Sequence, residues 1–207
     1  MLIALGQASF QELENFVRIL VAKEYRGAAK KYADILIEKA PQISSDLIDL
    51  YVRACISSGL AEDAEKLFES MLEATQDPVI AYELGYMYLY NLDNVDKEKV
   101  LKVINVLDKT KDPDHFELKG LLFNKIDMPK DAVVQFLRGA TIAYERDNKP
   151  NLHFVQSQRM FAKAVEILIG LDEKEKAKII VKRAENLIPI FNNQYGKMLK
   201  MRFGNIL

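Results

Sequence analysis

Prolines recur along this chain at a nearly constant spacing, and that spacing limits its architecture more than any other feature. Pro41 ("EKAP"), Pro78 ("TQDP"), Pro113 ("TKDP"), Pro150 ("DNKP") and Pro189 ("NLIP") follow one another at intervals of 37, 35, 37 and 39 residues. Proline cannot continue a helix and biases the residue before it away from helical geometry, so each one marks a break between helical stretches. The sixth, Pro129 in "DMPKDA", suits the first turn of a helix, where a missing N–H costs nothing.

Within each interval the apolar residues keep helical spacing in two separate runs. Between Leu47 and Pro78 the first run holds Ile48, Tyr51, Val52 and Cys55, and the second holds Ala64, Leu67, Phe68, Met71 and Leu72. A Ser-Ser-Gly turn ending at Gly59 lies between them, so the segment predicts a helical hairpin. Second helices carry a small residue followed four positions later by a large one: Ala28 and Tyr32, Ala64 and Phe68, Ala132 and Phe136, Ala177 and Val181, with Val100 and Ile104 as a looser copy. First helices carry "LGYMY" from Leu84 to Tyr88 and "KGLLF" from Lys119 to Phe123. A glycine there lets a neighbouring helix approach closely.

Leu84, Gly85 and Tyr88, then Ala64 and Phe68 or Ala132 and Phe136, then proline at this period resemble the tetratricopeptide repeat. The resemblance runs from about residue 7 to residue 189 and is fullest in the second to fourth units; the chain has no tryptophan. It implies an all-α superhelix (solenoid) of about five hairpins forming one domain over residues 1–207. The units span 7–41, 42–78, 79–113, 114–150 and 151–189, and a C-terminal capping helix occupies 190–207. "YERDNKPN", from Tyr144 to Asn151, reads as the joint between the fourth and fifth units.

The resemblance also implies that first helices line a concave groove. With Leu84, Gly85 and Tyr88 turned to the core, the adjacent face of that helix carries Val79, Tyr82, Tyr86, Leu89 and Tyr90. Asp46, Asp49 and Arg53 take the corresponding places in the preceding unit. Asp114, Glu117, Leu121, Asn124 and Lys125 take them in the following one, and Arg159 and Glu166 in the last. Tyr82, Tyr86 and Tyr90, spaced by four, form one helical stripe. The partner-binding candidates are Tyr82, Tyr86, Leu89, Tyr90, Arg53, Asp49, Leu121 and Asn124. Tyrosine offers large contact area at low entropic cost, although such a stripe also suits plain core packing.

Lys and Arg total 29 against 30 Asp and Glu, a net charge of −1, so the whole chain exerts no pull on a phosphate backbone. Residues 42–78 are acidic, with eight carboxylates against Arg53 and Lys66, while residues 190–207 carry Lys197, Lys200 and Arg202 and no acid. The terminal stretch is rich in Phe191, Tyr195, Met198, Leu199 and Phe203. Covering the last unit is its expected role, and self-association through this helix is the alternative. Cys55 is the one cysteine, which fits a reducing, cytoplasmic setting and a small buried side chain. The opening "MLIAL" is too short for a signal-peptide core, and no run is long enough for a transmembrane segment.

The expectation for function is therefore a scaffold or adaptor that binds a peptide or helical segment of another protein. It is not an enzyme and needs no cofactor or metal. His115 and His153 lack a second ligand at helical spacing and read as solvated, and the phosphate-loop, serine-nucleophile and zinc motifs are missing from the sequence. Two alternatives come from related repeats. One is a peptide-sensing regulatory module of the kind found in bacterial regulators, here without a preceding DNA-binding module. The other is a pentatricopeptide-like binder of single-stranded RNA, which "LIDLYVRACISSGLAEDAEKLFESM" resembles locally; the acidity of that unit disfavours nucleic acid. A chaperone-binding carboxylate clamp is not matched, since Glu14 and Arg18 stand where lysine and asparagine are expected.

Overall fold

The computed structural model describes residues 8–41, 44–145, 153–187 and 195–204. Among them every regular element is helical: α1 (Phe10–Ala22), α2 (Arg26–Lys39), α3 (Ser45–Ser57), α4 (Ala61–Thr75), α5 (Pro78–Tyr90), α6 (Lys97–Leu107), α7 (Pro113–Lys125), α8 (Pro129–Glu145), α9 (His153–Gly170), α10 (Lys174–Leu187) and α11 (Tyr195–Phe203). The protein is all-α, with helices packed sequentially in adjacent pairs. Pro150, Pro189, residues 190–194 and nearly all of the joint after Tyr144 lie outside the described residues. The chain forms two compact bodies. One ends at Thr75 and takes in Tyr90–Asp93, and the other comprises Gln76–Leu89 and Asn94 onward.

The prolines behave more uniformly than their sequence contexts imply. Pro41 follows α2, as expected. Pro78 and Pro113, however, are the first residues of α5 and α7, the same position that Pro129 takes in α8. Their rings supply the fixed φ that a first helical residue needs. Side chains satisfy other helix starts: Ser9 and Glu12 form a capping box at α1, and Ser44, Asp96 and Asp112 cap α3, α6 and α7.

Four of the hairpins turn in one way. Glu24, Gly59, Asp127 and Asp172 adopt left-handed backbone, with φ of 56°, 72°, 57° and 59°. In each case the following amide reaches back five residues: Tyr25 to Leu20, Leu60 to Cys55, Met128 to Phe123 and Glu173 to Leu168, at 2.8–2.9 Å. The left-handed residue's own amide reaches back three, to Val21, Ile56, Asn124 and Ile169. This pair of bonds is the Schellman closure of a helix C-terminus. The α5–α6 connection lacks it.

Counting from these turns corrects the register of the first unit. Four residues beyond Tyr25, Leu60, Met128 and Glu173 stand Ala29, Ala64, Ala132 and Ala177, each 0% exposed. The equivalent of Ala64 is therefore Ala29, and Ala28 is only half-buried. The next buried position in α2 is Ala33, while Tyr32 sits beside it and makes an edge-on contact with Phe16. Phe68 and Phe136 fill the matching places in α4 and α8, each 1% exposed; burying a phenylalanine contributes roughly 1.5–3 kcal/mol.

In the first body a polar cluster ties three helices together. Lys30 of α2 bonds both carboxylate oxygens of Asp34 at 2.7 and 2.9 Å and lies 3.3 Å from Asp63 of α4. The Tyr51 hydroxyl of α3 donates to Asp34 at 3.1 Å. Burial opposes the Lys30 charge, but Asp34 and Tyr51 outweigh it and hold its pKa above the ordinary value. One turn along α3, Cys55 is fully buried, and burial pushes its thiol up to about 11.

In the second body glycines set the helix spacing. A Cβ on Gly85 would meet Leu118 and Leu122 of α7 at 3.0 and 3.2 Å, and one on Gly120 would meet the Phe136 ring at 2.7 Å. Gly139, which the repeat pattern does not single out, is tighter still: its Cβ would meet Phe116 at 2.6 Å and the Met160 sulfur at 2.7 Å. Between these contacts Lys119 is 1% exposed, bonded to Asp108 at the end of α6 at 2.5 Å and seated 4.0 Å from the centre of the Phe116 ring. A buried ammonium needs such a partner.

Candidate functional site

In the second body the first helices of three successive pairs bring polar and aromatic side chains together. On α5, Leu84, Gly85 and Tyr88 are buried, whereas Tyr82 is half-buried and Val79 and Tyr86 are 54% and 41% exposed; Tyr90, 66% exposed, belongs to the first body. Helical geometry explains the split: residues 82 and 86 stack on a side turned away from 84, 85 and 88. The Tyr82 ring lies 5.0 Å from that of Tyr86 and 5.2 Å from the imidazole of His115 on α7. Burial, and a hydrogen bond with Tyr86, keep the Tyr82 phenol protonated well above its ordinary range.

His115 departs from the solvated histidine expected from sequence. It is the third residue of α7, half-buried, and its Nδ1 is hydrogen-bonded to the Thr110 hydroxyl. Burial lowers its pKa, against the opposing influence of Asp112 and Asp114. The side chain of His153, first residue of α9, lies outside what is described.

Beyond the rings, two cross-links join α7 to α9. The Gln156 amide donates to Asp114 at 2.5 Å. Arg159 meets both oxygens of Glu117, through Nε at 2.7 Å and a terminal nitrogen at 2.5 Å. Glu117 is nearly buried, with its side chain 12% exposed. Further along α9, Glu166 accepts from Arg202 of α11 at 3.0 Å. Asp114, Glu117, Arg159 and Glu166 were expected on first-helix faces; Glu117 and Arg159 pair with each other, while Asp114 is bonded to Gln156 and Glu166 to Arg202. Gln156 was missed. Its signal was available, because residues 156 and 159 repeat the three-residue spacing of 114 and 117.

The other candidates differ in setting. Leu89 and Leu121 are half-buried and Asn124 is exposed. Lys125 donates to the Leu89 carbonyl at 3.2 Å, helping to close the end of α5. Asp49 and Arg53 belong to the first body, where they pair with each other along α3 at 2.8 Å with both side chains more than half exposed. Such a surface pair contributes little to stability.

Among the described residues no group of His, Cys, Asp and Glu is arranged to hold a metal ion, and no helix is long and apolar enough to cross a membrane. Comparison with family models, curated proteins and solved structures finds no match.

Proposed function

We propose that this protein is a non-catalytic adaptor built of tetratricopeptide-like hairpins, and that it binds a peptide or helical segment of another protein along α5, α7 and α9. The observation that carries this reading is the shared first-helix face, where half-exposed tyrosines adjoin side chains already fixed by cross-helix bonds. Large aromatic surface beside pre-ordered polar groups suits recognition, since little rotamer freedom remains to be lost on binding. The recurring turn at Glu24, Gly59, Asp127 and Asp172 supports a repeated hairpin, which the resemblance identifies as tetratricopeptide-like.

The test is photocrosslinking from position 86, compared with position 179 on α10, in native lysate with and without nuclease. A defined protein captured from position 86 alone, insensitive to nuclease, is the expected outcome. Nuclease-sensitive capture would replace the adaptor with the RNA-binding reading. Capture of a short secreted-type peptide would favour the peptide-sensing module.

A further inference from the structure

The rings on α5 and α7 sit in an acidic surround. Glu83 and Asp114 both act on the Tyr82 hydroxyl, and Asp112 and Asp114 act on His115. Two cations of α7 and α9 are held by their own carboxylates: Lys119 is buried against Asp108, and Arg159 is clasped by Glu117. Asp114 itself is met by the neutral amide of Gln156. Negative potential around open aromatic faces attracts a cation, both by charge and by the ring quadrupole. We propose that Tyr82, Tyr86 and His115, with Asp114 at their edge, form the seat for a lysine or arginine side chain of the bound segment. This deepens the docking reading above and rests on it.

The geometry suits one cationic head and little else. Tyr86 is 41% exposed and Tyr82 half-buried, so one side chain reaches solvent and the other lies deeper. Their planes are inclined at 51°, and those of Tyr82 and His115 at 36°, which leaves the rings splayed rather than stacked flat. An acidic side chain placed there would meet the like charge of Asp114. A purely apolar one would strip water from that carboxylate without replacing it. The neutral form of His115, favoured by burial, adds no repulsion at neutral pH.

The experiment is a ¹H–¹⁵N titration of the full chain with two synthetic peptides of equal length, one alternating alanine with arginine and one alternating alanine with glutamate. The arginine peptide is expected to shift resonances of Tyr82, Tyr86 and His115, more strongly at low salt, while the glutamate peptide leaves them unmoved. Tyr86→Ala and Asp114→Asn should each weaken binding about threefold to thirtyfold, and Ile179→Ala should not. Acidification through the lowered folded-state pKa of His115 should also weaken it, as the imidazole gains charge among Asp112, Asp114 and Lys119. Equal response to both peptides would overturn the cationic seat while leaving a docking face. No response to the arginine peptide at these residues would also overturn the seat, and crosslinking from position 86 would then judge the docking face by itself.

Discussion

Arg159 holds Glu117 at two points, reaching across from α9 to α7 with contacts of 2.7 and 2.5 Å. The two residues are unequal in burial, 45% against 12% of side-chain surface exposed, so the pair is sensitive to which member is lost. Arg159→Ala strands a nearly buried carboxylate and should cost about 1–2 kcal/mol. Glu117→Ala leaves a guanidinium that reaches water and should cost less. Urea unfolding of the two variants decides it, and equal losses would mean the pair is only a surface contact.

Glycine substitutions should sort by what surrounds them. Gly120→Ala and Gly139→Ala place a methyl inside 2.8 Å of Phe136 and of Phe116 with Met160, and each should destabilise by about 1–3 kcal/mol. Gly27→Ala meets nothing within 4 Å and should be neutral or slightly stabilising. Thermal melts that rank Gly27→Ala with the other two would contradict the packing described.

The left-handed turns offer the opposite opportunity. Glu24, Asp127 and Asp172 occupy a conformation that glycine adopts without strain. Replacing each with glycine should therefore raise stability by up to about 1 kcal/mol. A uniform loss across the three would show that their side chains, not their backbones, hold the turns.

Ala64→Glu and Ala132→Glu should each disrupt their body, because both sites are 0% exposed and would bury a charge without a partner. Parental melting of both variants would refute the hairpin register.

His115 gives the fold a pH dependence of known sign. Burial lowers its pKa in the folded state, so its contribution is complete above the ordinary value near 6.5 and fades as pH falls through the folded value. The protein should be less stable at pH 5 than at pH 7. His115→Gln should shrink that difference, and an unchanged difference would assign it to other groups.

The succession of paired helices was legible in sequence because proline at helix boundaries and alanine at buried positions leave direct marks. The first unit's register was not. Its turn residue is Glu24 rather than a glycine, so nothing local distinguished Ala28 from Ala29. Gly139 and Lys119 were illegible for a different reason: their roles depend on Phe116, Met160 and Asp108, which other helices supply. His115 was misread likewise, since its neighbour Tyr82 comes from α5. The stripe of Tyr82 and Tyr86 was visible from spacing alone, but its cross-helix company was not.

Cys55 carries a practical consequence. It is the chain's single thiol, fully buried on α3, with its pKa pushed up to about 11. Thiolate is the reactive form, so near pH 8 only about a thousandth of the folded population would present it even if a reagent could enter. Modification therefore waits on local opening, and its rate clocks how often α3 loosens. The protein thus contains its own stopwatch for the first body, read with a coloured thiol reagent and no engineered label, while the second body stays silent.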